Sequence, residues 1–338
     1  MALVTFGEAM LRLTPPGFQR LEQAASLEVQ VGGGELNVAV AAARLGLDTR
    51  WVSRLPENPL GRLIARRARE HGVDLSRVLW TPEDRAGIYF AELGAAPRAS
   101  SVLYDRAGSA LSRIAPGMID WPQAFQGARW FHTSGITPAL SASAAATTTE
   151  ALSAAKAAGL TVSYDLNYRS KLWSPEHARA VQLPLLQYVD VLIATEEDTR
   201  IVLGIEAGAG ESLDRIDAES FAAVARAVHD RFGIGAVAIT LRANPRVWQN
   251  SWSALLFTQG RVHRAPRYEV EIVDRIGAGD AFSAGLIFAR LRGEELERAL
   301  HFGTALSALK HSVPGDFSQA TLEEVERLLA GASLRVSR

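Results

Sequence analysis

The sequence predicts an α/β fold: a parallel sheet covered by helices on both faces, with a small β-sheet lid beside it. Three observations carry this. From about residue 130 onward, short β-branched or continuously apolar runs alternate with helix-length stretches, the pattern of strands buried on both sides. Over 87–106, two strand-like runs flank the turn-rich stretch Gly94 to Arg98, as in an antiparallel hairpin. The 338 residues contain no internal repeat and no low-complexity linker, so one large α/β body with an appended sheet accounts for the length.

Taken in order, residues 8–31 read as strands around a Pro15-Pro16-Gly17 turn. With the runs at 87–93 and 100–106 they are expected to form the small sheet over a site. Strands then fall at Trp130–Ser134, 160–166, 189–194 and 236–241. Helices fall at 142–158, after Pro175, at 196–203 and at 221–232. The polar, Gly-rich stretch 206–217 reads as a surface loop. Near the end, a short strand at 270–273 leads into a small-residue turn and a helix over 281–292.

Composition narrows the chemistry. Lys plus Arg total 36 against 37 Asp plus Glu, so no charge excess points to nucleic acid or a membrane surface. Only Lys156, Lys171 and Lys310 are lysines, and the arginines are scattered. The chain has no Cys, which excludes disulfides, thiolate catalysis and Cys-ligated metals. The N-terminus lacks a basic segment and cleavage site, and no uncharged apolar run reaches the ~20 residues of a membrane span, so a cytoplasmic location is expected. The P-loop pattern is absent. Gly277-Ala278-Gly279 continues as Asp280-Ala281-Phe282, which spoils a dinucleotide fingerprint.

The segment Val273-Asp274-Arg275-Ile276-Gly277-Ala278-Gly279-Asp280 carries most of the chemistry. Small residues at 277–279 let backbone N–H groups gather around an anion, and the start of a helix adds its positive end. A carboxylate at Asp280 would sit beside that anion, suited to taking a proton from an attacking hydroxyl. The bland alternative is a tight turn with Asp280 as the helix N-cap. A second Gly-rich turn, Gly32-Gly33-Gly34-Glu35-Leu36-Asn37, opens an Ala-rich helix. Its glycines allow close backbone approach to a polyol, and Asn37 offers donor and acceptor. Alone, it also fits a loop capping an ordinary core helix.

Together these segments resemble the two signatures of the ribokinase-like (PfkB) carbohydrate kinases, in the family's order and across nearly the whole chain. The resemblance implies a three-layer αβα core and transfer of the γ-phosphoryl group of ATP, with Mg²⁺, to a sugar hydroxyl. In that reading Gly277, Ala278 and Gly279 hold the phosphate, Asp280 is the base, and Gly33, Gly34 and Asn37 line the sugar pocket. Asp165-Leu166-Asn167-Tyr168-Arg169, followed by Leu172-Trp173, is similar to a pattern of 2-keto-3-deoxygluconate kinases, as is Ser134 to Leu140. That subgroup implies sugar-acid contacts at Tyr89, Tyr104, Arg106, Asn167, Arg169 and Asp316.

Thr195 and Asp198 stand where many relatives carry the ends of N-x-x-E, which supports the Mg²⁺–phosphate network. Thr240 and Arg242 stand where relatives shape the nucleotide pocket with a Gly-Ala-x-Gly loop. Arg242 reads either as a phosphate partner or as a surface residue, and no metal ligand is assigned. The expected substrate is 2-keto-3-deoxygluconate. The alternatives are fructose or another sugar for the same chemistry, and a catalytically silent sugar-binding protein. Bland readings remain beside the sharp ones: arginines at 106 and 169 could be solvated, and tyrosines at 89 and 104 could simply pack the small sheet. A homo-oligomer is expected from the family's habit of pairing the exposed small sheet.

Overall fold

The structure, a computed structural model, describes residues 1–206 and 218–331, with Ala218 and residues 244–246 as backbone alone. The expected loop at 206–217 therefore lies almost wholly outside the described residues. The main sheet is built from β1 (Leu3–Phe6), β4 (Thr49–Pro56), β5 (Val78–Thr81), β8 (Trp130–Ser134), β9 (Thr161–Asp165), β10 (Val191–Thr195), β11 (Ala236–Arg246), β12 (Gln249–Thr258), β13 (Arg261–Arg264) and β14 (Tyr268–Glu271). Its order is β13-β12-β11-β10-β9-β8-β1-β4-β5, with β14 also paired to β12. From β5 across to β11 all neighbours are parallel, and the pairs made by β12 are antiparallel.

Strand alternation divides the core into two faces. Val237, Ile239 and Leu241 of β11 join a cluster with the helices Ala142–Ala157 and Ala218–Phe232. Ala236 and Ala238, pointing the other way, join one with the helices Gly34–Arg44, Ala278–Leu291 and Leu296–Lys310. This is the ribokinase-like α/β fold with a mostly parallel central sheet. Helix starts follow the expected chemistry: Ser141 accepts from the N–H of Ala144, and Ser174, followed by Pro175, accepts from that of His177. The last two long helices touch backbone to backbone, since a Cβ on Gly285 would lie 2.7 Å from Cα of Gly303.

A separate four-stranded sheet has the order β3-β2-β6-β7, with β2 at Met10–Thr14, β3 at Glu28–Gly32, β6 at Gly87–Glu92 and β7 at Ser101–Asp105. The 87–106 hairpin is antiparallel as expected, and β2 pairs in parallel with β6.

Three local expectations need correction. The strand expected at 270–273 ends at Glu271; Val273 is exposed, and the N–H groups of Val273 and Asp274 turn instead to the carbonyl of His311. The following helix begins at Ala278, earlier than expected, because Gly277 in a left-handed conformation (φ 85°) stops the turn there. At 196–203 a single turn, Glu196–Asp198, gives way to a π-helical turn, Thr199–Leu203.

Candidate active site

Between the small sheet and the carboxyl ends of the parallel strands lies a cavity of about 700 Å³. Open α/β sheets offer ligands this position because loops diverge there and helix N-termini point inward. Every candidate residue singled out in the sequence lines it.

Asp280 stands in the first turn of its helix, half-buried, where its Oδ2 accepts a hydrogen bond from Asn37 Nδ2 at 2.6 Å. The N-cap is Gly277, so the capping role considered for Asp280 does not hold. Burial pushes its carboxyl up to about 6; the Asn37 bond and the charge of Arg169 oppose the shift, and the charge of Asp316 adds to it. A Cβ on Gly34 would lie 3.5 Å from Asp280 Oδ1 and 3.9 Å from Asn167 Nδ2, so both Gly-rich turns and the loop after β9 converge on one point. Asn167 is held at φ 40°, and its N–H donates to Asp165 Oδ1 at 3.2 Å. Burial raises the Asp165 carboxyl well above the usual range, helped by the charges of Asp198 and Asp280.

Gly277 and Gly279 differ sharply. A Cβ on Gly277 would collide with the carbonyl oxygen of Asp316, whereas one on Gly279 would meet nothing within 4 Å. Gly277 is therefore needed by the fold, and Gly279 keeps space open at the helix start.

On the small sheet, Tyr89 and Tyr104 face each other across β6 and β7 with ring centroids 5.8 Å apart. Arg106 is buried and donates to Glu8, which also accepts from Ser109, so its charge is already neutralised; its guanidinium also lies over the Tyr104 ring. Lys171, exposed, donates to the Val102 carbonyl of β7 and lies 5.8 Å from the same ring. Arg169 is exposed with its guanidinium on the Tyr168 carbonyl. Asp316 is buried and fully engaged, accepting from Arg12 and from the Tyr89 hydroxyl.

At the β10 and β11 end, Asp198 is also engaged: Oδ2 accepts from Thr195 N–H and Oγ1 at 2.9 and 2.7 Å, and Oδ1 from Tyr168 N–H at 2.9 Å. These bonds make a capping box over Glu196–Asp198. Thr240 is buried, and Arg242 makes an open ion pair with Glu197 at 3.9 Å.

The profile of the pfkB family carbohydrate kinases matches residues 2–321. The chain belongs to that family. A 2-dehydro-3-deoxygalactonokinase of Haloferax volcanii is 42% identical over 336 residues, with 99% of each chain covered. A 2-dehydro-3-deoxygluconokinase of Thermoproteus tenax is 32% identical over 94% of this chain and 90% of its own. The crystal structure of a 2-dehydro-3-deoxygluconokinase from Thermotoga maritima superposes with a TM-score of 0.93 at 45% identity, covering 98% of this chain and 100% of that one.

Several residues of this carbohydrate kinase escaped the sequence reading. Arg12, Asp274 and Lys310 form a buried charged group beside the 275–279 turn, and Glu8 neutralises Arg106. Glu35 is buried with Oε1 accepting from Ser134 N–H, Ser134 Oγ and Thr137 Oγ1, and burial pushes its carboxyl up to about 7. A lysine at the end of the largely apolar run 299–310 was the available signal for Lys310, whereas Arg12 is one polar position in a short strand.

Proposed function

We propose that this kinase transfers the γ-phosphoryl group of Mg·ATP to the terminal primary hydroxyl of a 2-keto-3-deoxy sugar acid, with 2-keto-3-deoxygluconate as the first choice. The observation that carries the reading is Asp280: a carboxylate in the first turn of a helix, tethered by Asn37, in a cavity shared by the small sheet and the strand ends. The hydroxyl proton passes to Asp280 as the new O–P bond forms and the bond from γ-phosphorus to the ADP oxygen breaks. N–H groups of the 277–279 turn and the helix N-terminus neutralise the phosphoryl oxygens. A carboxyl near 6 is a stronger base than an ordinary carboxylate, yet remains mostly ionised at neutral pH.

Arg169 and Lys171 supply positive charge toward the sugar acid, Arg106, paired with Glu8, adds a guanidinium donor, and Tyr89 and Tyr104 pack its chain. The small sheet, from about 8–31 and 87–106, serves as a lid on a single kinase domain and excludes water. Asp198 spends both oxygens on local donors, so it does not fit a direct Mg²⁺ ligand, and the ion belongs to the nucleotide substrate. Thr195, Thr240 and Arg242 border the nucleotide. On the face of the small sheet away from the cavity, Val29, Leu13, Phe90 and Leu103 form one cross-strand apolar row, which supports a homo-oligomer joined there. No described helix is long and apolar enough to cross a membrane, and a cytoplasmic location is proposed.

The identity to the galactonokinase favours a second reading, the C4 epimer of the same acid. The test is ADP release with ATP and a panel of 2-keto-3-deoxygluconate, its epimer, fructose and no sugar. Release driven by the keto-deoxy acids is expected. A preference for fructose would overturn the substrate, and no release with tight sugar binding would leave a silent binding protein.

A further inference from the structure

A buried charged cluster ties the small sheet to the 275–279 turn. Arg12, on β2, is 1% exposed, and its Nη1 lies 2.6 Å from Asp274 Oδ2 and 3.1 Å from Asp316 Oδ1. Its Nε donates to Thr14 Oγ1 at 3.0 Å. Asp316 passes the contact back to the small sheet by accepting from Tyr89 on β6. Asp274 carries it into the turn: its Oδ1 accepts from Ile276 N–H at 3.0 Å, and its Oδ2 from Gly315 N–H at 3.0 Å. Below, the buried Lys310 ammonium donates to the carbonyls of Asp274 and Val313, each at 3.2 Å. Two cations and two carboxylates thus balance out of reach of water, where a guanidinium that bridges both carboxylates fixes geometry as well as charge.

The placement is informative. Asp274 opens the turn whose residues 275–279 line the cavity, and Gly277 of that turn packs on the Asp316 backbone. Nothing else among the described side-chain hydrogen bonds joins β2 to residues 274–280. We infer that Arg12 is a positioning residue for phosphoryl transfer: from the small sheet it sets, through Asp274, the shape of the phosphate-holding turn. This rests on the phosphoryl-transfer reading above. Arg12 and Asp274 act on the turn's N–H groups and not on the bound sugar, so their loss lowers turnover while leaving sugar affinity in place.

The experiment is steady-state kinetics on Arg12→Lys, Asp274→Asn and the double variant, with both substrates varied. Lys keeps the charge but cannot span both carboxylates; Asn keeps an acceptor for Ile276 N–H while weakening the bond to Arg12. Misplacing catalytic groups by about 1 Å costs roughly 100-fold, and kcat in each single variant is expected to fall by that order with the sugar KM little changed. The double variant is expected to lose no more than the worse single one, because both act through one contact. Should Arg12→Lys fail to fold, Asp274→Asn alone carries the same kcat-against-KM test. An unchanged kcat overturns the inference. So does a raised sugar KM at constant kcat, which would make the cluster part of the sugar pocket through Tyr89. A wild type that releases no ADP with any sugar overturns instead the reading on which the inference stands.

Discussion

The two ends of the cavity are built on different principles. Toward the small sheet the ionic groups are buried and already paired: Arg12 with Asp274 and Asp316, and Arg106 with Glu8. Toward β10 and β11 the ionic contacts are loose. Arg242 and Glu197 are 3.9 Å apart with 45% and 58% of their side chains exposed, and Arg275 rests on the backbone carbonyl of Val247. Breaking a buried pair strands a charge at a cost of about 3–5 kcal/mol, whereas an exposed pair contributes about 0–1 kcal/mol. The end at the small sheet is therefore preorganised and intolerant, and the end at β10 and β11 is adaptable.

The largest effect is expected where the two ends meet. Asp280→Asn keeps the size and the contact with Asn37 but removes the proton acceptor, so turnover should fall by at least ~10²–10⁴-fold. Equilibrium binding of both substrates should persist; near-wild-type turnover would rule out Asp280 as the base. The base must be ionised, so kcat/KM should fall as pH drops through about 6, the value to which burial raises this carboxyl. A pH–rate profile without an acid limb near there would break the link between that carboxyl and the chemistry.

Next come the glycines. Gly279→Val places a side chain in open space beside the helix N-terminus, so the fold should survive. Crowding the phosphate there should cost roughly 10²–10³ in kcat, the scale of one lost oxyanion donor. Thermal melts and kinetics on this variant separate the two roles. A large drop in Tm, or a loss confined to sugar KM, would mean that this position serves the sugar end.

Arg106→Leu probes the preorganised end directly. If Arg106 reads the acid's carboxylate, losing that charge-assisted bond, worth ~1.5–3 kcal/mol, should raise KM for the sugar acid by ~10–150-fold and spare a neutral sugar. Equal losses on both sugars would trace the effect to the stranded Glu8 instead. The smallest effect is expected at the adaptable end. Arg242→Ala should change the KM for ATP by no more than the fivefold that corresponds to about 1 kcal/mol. A much larger change in saturation curves for ATP would show that Arg242 holds a phosphate.

What the sequence disclosed follows the same divide between local and distant causes. Strands such as Trp130–Ser134 and the 87–106 hairpin were legible because period and turn chemistry are local. Arg12 was not. In Met10–Thr14 it reads as an ordinary polar position on a strand, and its burial depends on carboxylates 262 and 304 residues away in the chain. Thr195 and Asp198 depart from the N-x-x-E that supports the metal network in relatives, and a Thr three residues before an acidic side chain is also a capping pattern. The structure shows that they form such a cap. The Gly-rich turns announced Asn37 and Asp280 separately, but their contact across 243 residues is a product of packing.

Lysine scarcity gives the cavity an intrinsic chemical handle. Of the three lysines, Lys310 is buried, Lys156 sits on the surface paired with Asp190, and Lys171 stands at the cavity with its ammonium on the Val102 carbonyl of the small sheet. An amine-directed acylating reagent thus meets two accessible side chains, only one of them at the cavity. Its reaction at Lys171 requires that ammonium to lose its proton and leave β7, so the labelling rate of a single peptide follows how firmly the small sheet is seated, and Lys156 serves as the internal reference.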